Sequence, residues 1–483
     1  MNPMNRTLRL TPILLLAALL AGCQGPCEKL TKLNAPALGS GGADFTRFAA
    51  VGTSISAGYQ SGGLVNRHQV NAYPALFALQ VGKSVQLDGK GSFSGPAVDG
   101  NGAPPLLQLR SLSPVIISNS GEAPGNPINT TFPAAYGNLG VPGAILYDFS
   151  NQTNYAGAAF QLVARGQGSL QNQLLSENPT FISFEYGANE VLGPATSGSA
   201  AAPSGVSPAV WNAVASPAPY AAMLGGALAT IHATVPAAKV VIASVPDVRS
   251  IPFFTTFPPL TKDVRTGAYR PLKGWVHRDS SFLNVSDSTI HTVRIIKVDS
   301  LTSSELITLT AQTALYTGVG FQPFTYNYVA NTVNGTGAPL DSSMVLDSLE
   351  QVAIGNNVAA MNAAVDAQAS ASWIAELDLH GLLANLAANG TTIRGTNYTT
   401  AYVSGGLFSL DGVHPTDLGH AIVANAMIDA VNAKFGSTVP RLVLPNYATP
   451  NASSARPVRP GERGSGVRLL DGLGAAMKAL YLR

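Results

Sequence analysis

The chain has 483 residues, which fits either several domains or one elaborated α/β domain. Lys and Arg total 28 against 26 Asp and Glu, a net charge of +2 without any long basic run, which argues against nucleic acid as a partner. Charged residues are only 11% and hydrophobic residues 46%, so global disorder is excluded, while 49 Gly and 33 Pro point to a globular, loop-rich chain.

The first segment is a leader. Arg6 and Arg9 precede an apolar run, Ile13 to Ala21, that is too short to span a bilayer as a helix. Leu20-Ala21-Gly22-Cys23 follows. Residues 24–44 are polar with Gly, Ala and Pro, and read as a tether. Phe48 to Val51 is a predicted strand ending at Gly52, and Ala72 to Val81 has helical spacing. Residues 82–131 read as an irregular excursion. Ala134 to Leu139 is a second strand, Leu170 to Ser176 a helix, and Thr180 to Tyr186 a third strand. Ala195 to Pro219 reads as a loop, Tyr220 to Val235 as a helix and Lys239 to Ser244 as a fourth strand. Residues 250–345 break the rhythm with aromatics, Thr and Pro. Ser348 to Ala369 is helical, Trp373 to Leu379 a fifth strand, and His380 to Ala388 and Leu418 to Phe435 are helices. Residues 440–483 form a tail with a short helix expected at Val467 to Leu480. Strands alternating with helices predict a parallel sheet covered on both faces. No internal repeat and no further run of 18 apolar residues interrupts this order.

Four turns carry polar chemistry. Val51-Gly52-Thr53-Ser54-Ile55-Ser56-Ala57-Gly58 follows the first strand and places Ser54 where open α/β sheets bind ligands. Asn138-Leu139-Gly140-Val141-Pro142-Gly143 follows the second, and a glycine there lets a backbone N–H approach an oxyanion. Gly187-Ala188-Asn189-Glu190 follows the third, with an amide able to donate to the same oxygen. Asp411-Gly412-Val413-His414-Pro415 lies near the C-terminus. A serine hydroxyl needs an adjacent base, imidazole can serve, and a carboxylate fixes its tautomer. Each turn in isolation is more often a plain loop or cap.

In this order the four blocks resemble the SGNH (GDSL-type) hydrolase family over about residues 45–436. Tyr73-Pro74 and Val245-Pro246-Asp247 add to the likeness. The resemblance implies a three-layer α/β/α, flavodoxin-like domain with a parallel sheet and large insertions at 82–131, 193–219 and 250–345, followed by a tail at 437–483. It implies Ser54 as nucleophile, His414 as base, Asp411 as its orienting carboxylate, and an oxyanion hole made by Ser54, Gly143 and Asn189. Gly140 is the other candidate for the glycine donor. Thr53 stands where the family has Asp, and Glu190 where an Asp often follows the asparagine; neither position is catalytic. Leu20 to Cys23 likewise resembles a bacterial lipoprotein signal. That implies removal of residues 1–22, acylation of Cys23 and lipid anchoring at the cell envelope, in the outer membrane by the Gln24 that follows. Cys27 is then an unpaired thiol.

The activity so implied is carboxylic-ester hydrolysis through an acyl-serine intermediate, without cofactor or metal. A glycan O-deacetylase, a phospholipase and a thioesterase are alternatives within that class. A non-catalytic, lipid-anchored binding or structural lipoprotein on a hydrolase scaffold is the alternative outside it. Asp378, His380 and His420 read as structural. His68, His232, His277 and His291 have no metal-ligand spacing. Phe253, Phe254, Phe257 and Trp275 form the insertion's own core or, less simply, an acyl pocket. The acyl group, the alcohol and the oligomeric state are not written in these motifs.

Overall fold

The computed structural model describes residues 38–448, apart from 113–114, 152–156, 264, 285–288, 322–323, 328–331 and 336. Cys23, Cys27 and the expected Val467–Leu480 helix lie outside the described residues.

Five short strands form one sheet: β1 (Phe48–Gly52), β2 (Asn138–Gly140), β3 (Phe181–Glu185), β4 (Lys239–Ala243) and β5 (Ile374–Leu377). Every pair is parallel, and the spatial order is β2-β1-β3-β4-β5. The predicted all-parallel α/β architecture is therefore present. The inner strands β1, β3 and β4 are largely apolar because both of their faces are covered, whereas the edge strand β2 is only Asn-Leu-Gly and starts at Asn138 rather than at the expected Ala134. Ala50, Phe181, Val241, Ala375 and Leu377 pack with α2 (Tyr73–Gln80) and α7 (Asp417–Phe435). Val51, Ile182, Val240 and Ile374 pack into a second cluster with α4 (Pro217–Thr234) and α5 (Ser348–Ala369).

From β1 the chain passes to β2 on one side and then crosses back to β3 on the other. This reversal opens a crevice at the carboxyl ends of β1 and β3, where doubly wound sheets bind ligands. Helix α1 (Ser54–Ala57) starts there and ends at once, because Gly58 adopts the left-handed conformation (φ 77°). Helix α3 (Ala188–Ala195) starts from the end of β3, and α6 (Leu379–Asn389) from the end of β5.

Several expectations need correction. Residues 195–219 are not one loop: Pro208–Ala215 is helical and α4 begins at Pro217. Pro208 and Pro217 each occupy the first helical turn, where the missing N–H costs nothing. The segment Pro208–Thr234 is apolar enough to resemble a membrane span, yet Leu224, Leu228 and Ile231 are buried against the sheet. The 82–131 excursion contains a hairpin, Leu107–Leu112 with Val115–Asn119. The 250–345 insertion is rich in antiparallel hairpins, the longest pairing Lys273–Asn284 with Thr289–Ser300. It builds its own core around Leu272, Val276, Leu301, Ile307 and Leu340. Phe253 and Phe254 are buried edge to face at 5.0 Å in the main core.

Candidate active site

The extended backbone of Thr53 delivers Ser54 to the first position of α1, at the carboxyl end of β1. The 407–416 loop brings His414 to it from 360 residues away. A short bridge between Phe408 and Pro415, and a Ser409 N–H bond to the His414 carbonyl at 2.8 Å, fold that loop back on itself. Thr416 then caps α7 through the Gly419 N–H.

These elements place Ser54 Oγ 2.8 Å from His414 Nε2, and His414 Nδ1 2.9 Å from Asp411 Oδ2. Both distances lie within hydrogen-bond range, so serine, imidazole and carboxylate form one chain. All three residues are nearly inaccessible, at 2%, 1% and 1% exposure for Ser54, His414 and Asp411. Tyr59 packs its ring 4.8 Å from the imidazole.

The carboxylate is held on all sides. Asp411 Oδ1 accepts the Val413 and His414 N–H groups at 2.9 Å and the Ser409 hydroxyl at 3.1 Å. Oδ2 accepts the Gly62 N–H at 3.0 Å. Burial alone would raise the Asp411 pKa, but the His414 charge and these donors outweigh it and hold the carboxyl below its ordinary value. Ser61 donates its N–H to the Ser409 hydroxyl at 2.9 Å, so the loop after α1 is tied to the 409–414 loop.

The candidate donors for an anion follow the ends of three adjacent strands, β1, β2 and β3. Asn189 sits in the first turn of α3, after Gly187 at φ 117°. A Cβ at Gly187 would lie 2.4 Å from Val245 Cγ2, so the turn requires glycine. Asn189 Nδ2 donates one hydrogen to the Ala144 carbonyl at 2.7 Å, which leaves its second hydrogen for a ligand. That same bond ties block three to the Gly143 turn. Gly143 is left-handed (φ 81°), and its N–H has no partner among the described residues. The Gly140 N–H is occupied by Asn138 Oδ1 at 3.0 Å, so of the two glycines only Gly143 offers a donor. Glu190 extends the tie, accepting the Leu146 N–H at 2.7 Å, and burial pushes its carboxyl up to about 8.

Glu185, the last residue of β3, was not among the expected site residues. Its carboxylate accepts the Thr53 N–H at 2.9 Å, the Thr53 hydroxyl at 3.0 Å and the Ser56 hydroxyl at 2.9 Å. Ser56 in turn meets Tyr73 Oη at 3.1 Å, which meets Ser183 Oγ at 3.2 Å. Burial pushes Glu185 up to about 7, opposed by the Thr53 and Ser56 hydrogen bonds. A lone carboxylate closing an otherwise apolar strand could have drawn attention to it, though nothing local names its partners.

Asp378 and His380 are structural: Asp378 caps α6 through the Gly381 N–H at 2.7 Å. His420 is fully buried on α7, its ring nitrogens meet no partner among the described residues, and burial lowers it to about 3. His68 instead contacts Asp417 at 2.9 Å. One grouping that spacing could not reveal joins His277 to Asp347 and Glu350 across 70 residues, with their donor atoms within 4.8 Å. Asp347 and Glu350 form the capping box of α5, and Asp347 also accepts the His277 backbone and ring N–H. Capping and hydrogen bonding thus already account for this grouping. No family model matches the chain, and no curated protein or solved structure matches it either.

Proposed function

We propose that the protein is a carboxylic-ester hydrolase working through an acyl-serine intermediate, in a three-layer α/β/α, flavodoxin-like domain of the SGNH type. The observation that carries this reading is the hydrogen-bonded chain Ser54–His414–Asp411, set beside the Asn189 amide at the β1/β3 reversal. The 2-1-3-4-5 strand order is that of flavodoxin-like sheets.

In the first step His414 Nε2 takes the Ser54 proton as Oγ attacks the ester carbonyl carbon. The carbonyl oxygen becomes an oxyanion. The Ser54 and Gly143 N–H groups and the free Asn189 hydrogen are the donors available to it. Asp411 keeps Nδ1 protonated and stabilises the imidazolium. The tetrahedral adduct collapses, and Nε2 returns its proton to the departing alcohol. Water then attacks the acyl-serine with His414 again as base, releasing the acid and restoring Ser54.

The test is turnover of a short-chain chromogenic ester by the wild type and Ser54→Ala. Loss of turnover in the variant is expected, and undiminished turnover rejects the reading. Silence of the wild type across a broad ester panel would favour the non-catalytic lipoprotein instead.

A further inference from the structure

One groove is lined by residues next in the chain to the catalytic ones, and its composition bears on what the ester carries; the inference rests on the esterase reading above. Ile55, Ala188, Pro246 and Leu379 line it, and each lies two or three residues past the end of β1, β3, β4 or β5. The groove therefore runs across the carboxyl edge of the sheet. Its lining includes the chain neighbours of the catalytic groups. Ile55 follows Ser54, Ala188 precedes Asn189, and Val413 and Pro415 flank His414.

The far wall is α6, which presents Leu382, Leu383 and Leu386. The groove is partly open to solvent. Every lining residue is apolar or glycine. A sugar seated here would leave its hydroxyls without partners, whereas a hydrocarbon chain would lose only water. Phe253, Phe254, Phe257 and Trp275 do not line this groove.

We propose that the groove binds an aliphatic chain of the ester, so that the substrate is a medium- or long-chain aliphatic ester rather than an acetylated glycan. The chain can belong to the acid or to the alcohol, because the lining includes the neighbours of both Ser54 (Ile55) and His414 (Val413, Pro415). The leucines of α6 set the preferred length.

Two ester series test this with the wild type: nitrophenyl esters of lengthening acids, and acetates of lengthening alcohols. In one series kcat/KM is expected to rise by roughly fourfold per added methylene until the groove is filled. Leu386→Trp, which fills the far end, and Leu382→Asn, which makes the wall polar, should each lower the long-to-short ratio of kcat/KM at least tenfold. Flat responses in both series, with acetate esters still hydrolysed, overturn the inference and leave the esterase reading standing. Binding of a fluorescent alkyl carboxylate to Ser54→Ala provides a readout independent of turnover. Binding that Leu386→Trp weakens, in a protein that hydrolyses no ester, would uphold the groove and reject the esterase. Absence of binding, together with an unchanged ratio in both leucine variants, rejects the groove.

Discussion

Glu185, at the end of β3, accepts hydrogen bonds from both the backbone N–H and the hydroxyl of Thr53, the residue that delivers Ser54 to α1. The serine turn is thus held by the neighbouring strand rather than by a carboxylate of its own. Glu185→Ala should lower kcat by about 10- to 100-fold with little change in KM, since small misplacements of a nucleophile carry such costs. Glu185→Gln keeps an acceptor for the Thr53 N–H and should recover part of the loss. Steady-state kinetics of the two variants check this; a large KM effect with intact kcat would contradict it.

Asn189 donates one hydrogen to Ala144, and in the proposed mechanism its other hydrogen goes to the oxyanion. Asn189→Ala should lower kcat by about 10²–10³, the usual cost of losing one such donor. A rise in KM at unchanged kcat would remove Asn189 from the oxyanion hole, because the residue would then bind ground and transition states alike.

Asp411 is surrounded by donors, and its Oδ2 is the hydrogen-bond partner of His414 Nδ1. Asp411→Asn would turn an amide N–H₂ toward these donors or toward Nδ1. A fall in kcat of about 10³–10⁴ is expected, comparable to removing the base, because the wrong imidazole tautomer would be favoured. A fall of only a few-fold, measured on the same ester, would mean that another group orients the ring.

Burial raises the Glu190 carboxyl from 4.5 to about 8, and its Oε2 has no hydrogen-bond partner among the described residues. The folded state therefore holds this proton more tightly than the unfolded chain does. The stability it contributes is full below about pH 4.5 and is lost as the pH rises through about 8. Glu190→Gln keeps an acceptor for the Leu146 N–H and removes the titration. Urea melts between pH 4 and 9 should show stability declining less with pH in the variant than in the wild type; parallel curves would contradict the assignment.

The expected anchor is tested by fractionation. Cys23→Ser should leave the protein unprocessed or release it from membranes, and equal membrane partition with normal processing would reject acylation as the anchor.

Most of the sheet was legible because its inner strands are apolar runs bounded by turn residues; Thr180 to Tyr186 and Lys239 to Ser244 match almost to the residue, whereas the expected Ala134 to Leu139 shrinks to the Asn138–Gly140 edge strand, whose short Asn-Leu-Gly run carries no apolar pattern. The helix Ser348–Ala369 was equally plain. Pro208 and Pro217 misled, since a proline reads as a breaker whether it stops a helix or starts one. In the site, Ser54, Gly143, Asn189, Asp411 and His414 each follow a recognisable turn. Glu185 and Gly62 act through side-chain or backbone bonds spanning 132 and 349 residues, which no local pattern encodes. Ser409 supports the carboxylate from within its own loop, but nothing separates it in sequence from an ordinary turn serine.

The most direct measurement is the intact-protein mass during reaction with a slowly deacylating nitrophenyl ester, followed by peptide mapping. The account predicts a burst of one nitrophenol per chain, a mass gain equal to one acyl group, and its location on Ser54. The adduct should be absent from Ser54→Ala and strongly slowed in His414→Ala. Turnover without any adduct, or an adduct that persists in Ser54→Ala at another side chain, would contradict it.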